Sequence, residues 1–378
     1  MDRDQATELM HNLLRGMITQ KASDLFITSG FPPAFKVNGK MTPVSQQVLT
    51  PHQTMELANC IMNDRQTAEF EASHECNFAI SPAGIGRFRV NVFMQQQYTG
   101  MVLRTITTKI PDLTQMGMPE ILKDVAMSKR GLVVMVGGTG SGKSTTLAAM
   151  LGYRNQNTYG HIITIEDPVE FVHDHINCLI THREIGVDTE SWQVALKNTL
   201  RQAPDVIFIG EIRDRETMEY AVTFAETGHL CMATLHANSA NQALDRIVNF
   251  FPEERREQLL MDLSLNIKAL VSQRLIPRAD GVGRSVAMEI MLNSPLISDL
   301  IFKGDVLGIK GVMSKSRELG MQTFDQALFD LHETNQISYE EALKNADSVN
   351  DLRLRFKLES QSSKNTDIMA GLGHLQMT

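Results

Sequence analysis

An uninterrupted apolar run, Leu132-Val133-Val134-Met135-Val136, leads straight into Gly137-Gly138-Thr139-Gly140-Ser141-Gly142-Lys143-Ser144, and no other stretch of the chain restricts its folding as tightly. The eight residues satisfy G-x-x-x-x-G-K-[ST] in full. The run before them is short and β-branched, as a buried parallel strand should be. Behind them, Thr145-Thr146-Leu147-Ala148-Ala149 reads as the first turns of a helix. Strand, glycine loop and helix start together surround an anion with backbone N–H groups. Glycines serve because a Cβ would obstruct the approach of the backbone to phosphate oxygens. The expected contacts are Lys143 on the β- and γ-phosphates, Ser144 on Mg²⁺, and Gly137 through Thr145 as the cradle. The sequence therefore predicts binding of a nucleoside triphosphate.

At 378 residues the chain is long enough for two domains, each with a core. It carries 36 Lys+Arg against 44 Asp+Glu, a formal charge of -8, which argues against a protein that coats nucleic acid. Cys60, Cys76, Cys178 and Cys231 are scattered outside metal-ligand spacing and read as reduced core residues of a cytoplasmic protein. No apolar run has the length of a membrane span, so the expectation is no direct membrane insertion.

The expected fold class is α/β in two parts: residues 1–106 as an N-terminal α+β domain and 118–358 as an ATPase domain. A linker at 107–117 joins them, and 359–378 form a flexible polar tail. In the first part, helical spacing covers Asp4–Thr19 and the stretch opened by Thr50-Pro51. Strands are expected at 24–28, 34–37 (ending at the turn Asn38-Gly39), 76–80, 86–94 and 100–106. In the second part, strands at 132–136, 162–165, 206–209 and 230–234 alternate with helices, which argues for a largely parallel sheet. Leu244 to Leu275 reads as a long amphipathic helical stretch broken at Phe251-Pro252. A strand at 285–291 and helices from Leu296 to about Ala346 follow.

Acidic residues on the strands after the loop decide its chemistry. Ile162–Ile165 delivers Glu166 and Asp167 to a carboxyl strand end, the edge where ligands bind in such sheets. A carboxylate there orients and deprotonates the water that attacks a γ-phosphate. Val206–Ile209 is followed by Gly210-Glu211, placing a second acid beside Mg²⁺; the plainer alternative pairs Glu211 with Arg213 or Arg215. His229 and His236 bracket the next strand, and His236, at its carboxyl end, stands where a γ-phosphate could be sensed. Arg87 and Arg89 share one face of a strand, with Arg104 on the following strand. They read as a solvated face or as arginine fingers given to a neighbouring copy, and the second reading requires a ring.

These residues together resemble the type IV pilus retraction ATPases of the PilT/PilU family, within the secretion ATPase superfamily. The likeness runs from about Asp4 to Asn350. It implies a PAS-like N-terminal domain, a RecA-like P-loop domain with C-terminal helices, a homo-hexameric ring, and ATP with Mg²⁺ as cofactors. Ile163–Phe171 is similar to the family's Asp box, implying Glu166 as catalytic base, and Gly210–Asp214 to its Walker B box, implying Glu211 near Mg²⁺. Gly228 through His236 is similar to the His box with His229 and His236, and Arg87, Arg89 and Arg104 match the positions from which arginine fingers reach the adjacent subunit.

Two departures bear on the branch. Phe26 stands where the family's N-terminal motif carries His. Pro295–Lys303 lacks both arginines of the Ala-Ile-Arg-Asn-Leu-Ile-Arg-Glu motif of principal retraction motors. The resemblance then implies the PilU-like accessory branch: a cytoplasmic ATPase recruited to the inner membrane at the pilus base, partnered by a pilus platform protein and a paralogous retraction ATPase, with no nucleic acid. The rival readings are a principal retraction motor, a RecA-like nucleic-acid motor and a non-catalytic partner of another ring.

Overall fold

The computed structural model describes residues 1–37, 39–106 and 109–360. Asn38 of the expected turn, Thr107 and Thr108 of the expected linker, and 361–378 of the expected tail lie outside the described residues. The chain divides into two compact units, Met1–Lys109 with Glu170–Val172, and Ile110–Val169 with the described residues from His173 onward.

The first unit runs α1 (Arg3–Thr19), β1 (Asp24–Ile27), β2 (Ala34–Val37), β3 (Lys40–Pro43), α2 (Pro51–Asn59), α3 (Asp64–Ser73), β4 (Glu75–Ile80), β5 (Arg87–Gln95) and β6 (Tyr98–Ile106). Its three helices start by one device. Asp2, Thr50 and Asn63 accept the N–H three residues on, while Gln5, Gln53 and Gln66 return a bond to the cap's own N–H, so two orphan groups are satisfied at each end. The six strands form an antiparallel sheet in the order β3-β2-β1-β6-β5-β4. Alternation sets its faces: Phe88, Val90 and Val92 of β5 and Met101 and Leu103 of β6 are buried with Leu14 and Met17 of α1. The other face carries a charged row. Lys36 is paired with Asp24, Asp24 with Arg104, and Arg104 with Arg89 across four strands.

In the second unit come α4 (Ile121–Ala126), β7 (Gly131–Val136), α5 (Lys143–Asn157), β8 (Gly160–Glu166), β9 (Cys178–Glu184), α6 (Trp192–Thr199), β10 (Val206–Ile209), α7 (Arg215–Glu226), β11 (Leu230–Leu235), α8 (Ala240–Asn249), α9 (Glu253–Asn266), β12 (Ile267–Pro277) and β13 (Arg284–Leu292). Five helices close it: α10 (Pro295–Phe302), α11 (Val306–Lys315), α12 (Phe324–Glu333), α13 (Tyr339–Lys344) and α14 (Val349–Glu359). The sheet order is β13-β12-β7-β11-β10-β8-β9, parallel throughout except for β13 at the edge. Both faces are covered: Leu132, Val134 and Val136 of β7 enter one apolar core, Val133 and Met135 the other. That is why these strands read as unbroken apolar runs.

One expectation is corrected. The helical reading of Leu244–Leu275 holds for α8 and α9, separated at Phe251-Pro252 as expected, but residues 267–277 are strand β12. Ile267, Ala269, Leu270 and Val271 are buried, with Leu270 facing one core and Ala269 and Val271 the other. A two-sided buried strand has no period of 2 to distinguish it from a buried helix.

Candidate functional site

Because β7, β8, β10, β11 and β12 are parallel, their carboxyl ends lie along one edge, and the singled-out groups of this unit gather there, with one exception. The glycine loop leaves β7 and enters α5 through Gly142, which caps the helix in the left-handed region at φ +89° with no side-chain cap bond. The first turn of α5 carries no acidic residue. Its amide groups and the positive end of its dipole therefore face an anion site uncompensated. Gly140 is also left-handed, at φ +76°. A Cβ on Gly137 would collide with the Ser141 hydroxyl and come within 2.8 Å of the Gln273 carbonyl oxygen. Lys143 is buried, and its Nζ donates to the carbonyl oxygens of Gly137 at 2.8 Å and Gly138 at 3.0 Å. Its ammonium thus rests across the mouth of the loop, where phosphate oxygens can replace those carbonyls.

Glu166 ends β8, 6% exposed, and its stem packs against Gly210, where an added Cβ would meet Glu166 Cγ at 3.3 Å. His182 of β9 stands 4.0 Å from Glu166 Oε1. The Nε2 of His182 accepts the His173 backbone N–H at 3.0 Å, which leaves the proton on Nδ1, 2.8 Å from the Thr164 hydroxyl. Asp167 is half exposed and 3.8 Å from the Arg213 guanidinium.

Glu211, just past β10, accepts Arg213 Nε at 2.7 Å and lies 3.4 Å from His236 Nε2. The plainer pairing considered from sequence is thus realised in this structure, with Arg213 rather than Arg215, which bonds Glu219 instead. His236 titrates below its ordinary range, first because burial penalises its charged form and second because Lys143 is near, with Glu211 opposing. That ties Lys143, Glu211 and His236 into one field. Thr234 of β11 bonds the Gly210 carbonyl and fixes the turn carrying Glu211.

His229 lies at the amino end of β11, roughly 20 Å from His236 along the strand axis. Its Nδ1 contacts the Thr227 hydroxyl and the Phe224 carbonyl, closing the end of α7. Arg87, Arg89 and Arg104 belong to the first unit and share one face of its sheet. Arg104 donates from Nε to Asp24 Oδ1 at 2.7 Å, and Asp24 is buried beneath it.

Among the described residues no three His, Cys, Asp or Glu converge to hold a metal. Ser144 and Glu211 supply hard oxygen ligands only, which suits Mg²⁺ bound largely through phosphates and water. Two contributors escaped the sequence reading: His182, on a strand that was not anticipated, and Gln273, which sits on β12 and contacts the loop.

Residues 1–310 match the family described as type II/IV secretion system protein. Over 350 residues the chain is 60% identical to the type IV pilus ATPase PilU of Pseudomonas aeruginosa, covering 93% of this chain and 92% of that one. It is 43% identical over 334 residues to the type IV pilus retraction ATPase PilT of the same organism, covering 88% and 97%. Among solved structures, that of the pilus retraction motor PilT with bound ADP superposes with a TM-score of 0.86 at 36% identity, covering 91% of this chain and 98% of that one.

Proposed function

This chain belongs to the type II/IV secretion system protein family and is an ATPase, and we propose that it assists type IV pilus retraction as the accessory of a principal retraction motor. The observation that carries the proposal is the single strand edge that gathers an uncapped helix start, Lys143, Glu166, Glu211 and His236. Identity of 60% to PilU and the missing arginines at Pro295–Lys303 support the accessory branch.

In this reading copies of the chain form a hexamer with ATP between neighbours. Lys143 leaves the Gly137 and Gly138 carbonyls for the phosphates, which the loop amides also hold. Ser144 and Glu211 hold Mg²⁺, partly through water, and the ion supplies neutralisation of phosphate charge. Glu166 takes the proton of the attacking water. His236 reads the γ-phosphate through its contact with Glu211. Arginines of the neighbour's first unit complete the charge, and Arg104 must trade Asp24 for phosphate to take part. The ring acts in the cytoplasm at the inner membrane, on a pilus platform protein and beside a paralogous ATPase, without nucleic acid.

Turnover by the parent, Lys143→Ala and Glu166→Gln proteins, with and without single-stranded DNA, tests the reading. Each substitution is expected to cut the rate by about 10²-fold or more, with DNA without effect. A rate indifferent to both substitutions, or raised by DNA, refutes the assignment. Slower pilus retraction in a strain lacking only this protein is the cellular counterpart.

A further inference from the structure

Gln273 lies on β12, 2% exposed, and reaches the phosphate loop with both ends of its amide. Its Nε2 donates to the Ser141 carbonyl at 2.8 Å, and its Oε1 accepts the Thr146 hydroxyl at 2.7 Å. The amide has only one workable orientation. A carbonyl oxygen can only accept, so Nε2 must face Ser141, and the hydroxyl then gives its proton to Oε1. The two bonds straddle Gly142, Lys143, Ser144 and Thr145, the residues that turn the loop into α5. The backbone carbonyl oxygen of Gln273 also lies 2.8 Å from the place a Cβ on Gly137 would take.

The Ser141 carbonyl and the Gly142 N–H belong to one planar trans peptide unit and point in opposite directions. Tying that carbonyl to β12 therefore aims the Gly142 N–H away from β12. The same bond sets the plane from which α5 starts, and with it the direction of the next amides.

We propose that Gln273 is a positioning residue for nucleotide: it holds the Ser141–Gly142 peptide in the phosphate-binding orientation, and it sets affinity rather than the chemical step. The proposal rests on the nucleotide reading of the loop. It acts equally on bound substrate and transition state, so its loss belongs in KM and not in kcat.

The test compares the full-length parent with Gln273→Met, which keeps the volume and removes both bonds, and Gln273→Glu, which replaces the donor by an anionic oxygen against the Ser141 carbonyl. Titration with a fluorescent ADP analogue should show affinity weakened about tenfold for Gln273→Met, from two hydrogen bonds of ordinary net strength, and weakened further for Gln273→Glu. KM for ATP should rise in parallel while kcat stays within about twofold. If Gln273→Met proves poorly folded, Thr146→Val removes one of the two bonds and should weaken ADP by about threefold. A well-folded Gln273→Met protein that binds ADP like the parent, or one that loses kcat with KM unchanged, overturns the proposal. Failure of the parent itself to bind ADP would instead overturn the nucleotide reading.

Discussion

Substituting alanine at Gly142 and at Gly140 separates two costs that glycine avoids in the loop. Both residues are left-handed, and an L side chain there costs about 1–2 kcal/mol. At Gly140 an added Cβ meets nothing within 4 Å, whereas at Gly142 it would lie 2.7 Å from Gln273 Nε2. Relief of that contact requires Gln273 to withdraw from the Ser141 carbonyl, which forfeits a further ~0.7 kcal/mol, the net worth of one of that amide's two bonds. The sums are about 1–2 kcal/mol for Gly140→Ala and about 1.7–2.7 kcal/mol for Gly142→Ala, or roughly 5–30-fold against 20–100-fold. A free loop can relax into other backbone conformations, so most of this penalty falls on binding rather than on folding. Titration with fluorescent ADP, alongside melting of the nucleotide-free proteins, measures both. Equal losses for the two variants would refute the account, since the difference between them is the Gln273 contact alone.

Two expectations concern other parts of the molecule. Arg104→Met strips the guanidinium from buried Asp24, leaving it the Ser23 hydroxyl at 2.8 Å. Because the arginine side chain is itself 65% exposed, the loss is discounted to about 1–2 kcal/mol, readable by urea denaturation; an unchanged midpoint would show that the pair contributes nothing. His173 is 6% exposed, stacked on His182 at 5.9 Å, and held neutral by burial and then by His182, its pKa lowered from 6.5 to about 4. The folded form therefore resists a proton that the unfolded chain accepts, so stability is full above about pH 6.5 and falls until about pH 4. The loss approaches about 3 kcal/mol at the lower end. Thermal melts across that window should show a shallower pH slope in His173→Gln than in the parent, and identical slopes would refute the assignment.

What the sequence made legible is the chemistry that lies next to its own signal. The run into Gly137, the acids after Ile165 and Ile209, and the histidine after Leu235 are each announced by the strand that delivers them. Parallel pairing then brings those ends to one edge without further information. The strands that failed to announce themselves are informative in physical terms. β9 mixes polar and apolar residues, Cys178-Leu179-Ile180-Thr181-His182-Arg183-Glu184, as an edge strand half open to solvent can, and so His182 had no strand to place it beside Glu166. β12 is apolar on both faces and follows α9 without a break, so its residues carry the same local signal as a buried helix, and nothing local places Gln273 beside the loop.

That second omission shows why a site can be half readable. Gln273 and Arg274 are neighbours on β12, so their side chains leave opposite faces. Gln273 bonds Ser141, 132 residues away. Arg274 bonds the carbonyls of Asn238 and Asn345 and the carboxylate of Asp347, its guanidinium 3.8 Å from the Phe324 ring centroid. None of these partners has a sequence spacing that a local pattern could carry. They meet because Ser272 of β12 pairs with Val136 of β7, which sets Gln273 level with Gly137, the first residue of the loop. A register shift of one residue would exchange the two side chains between faces, putting a guanidinium beside the phosphate loop and leaving Asp347 with Lys310. That shift would also move Leu270 into the core that Ala269 and Val271 fill and take it out of the other, so the mismatch of volume on both faces opposes it. The packing of Ala269, Leu270 and Val271 therefore fixes the polar contacts of the loop, and substitutions there should disturb nucleotide affinity without touching nucleotide.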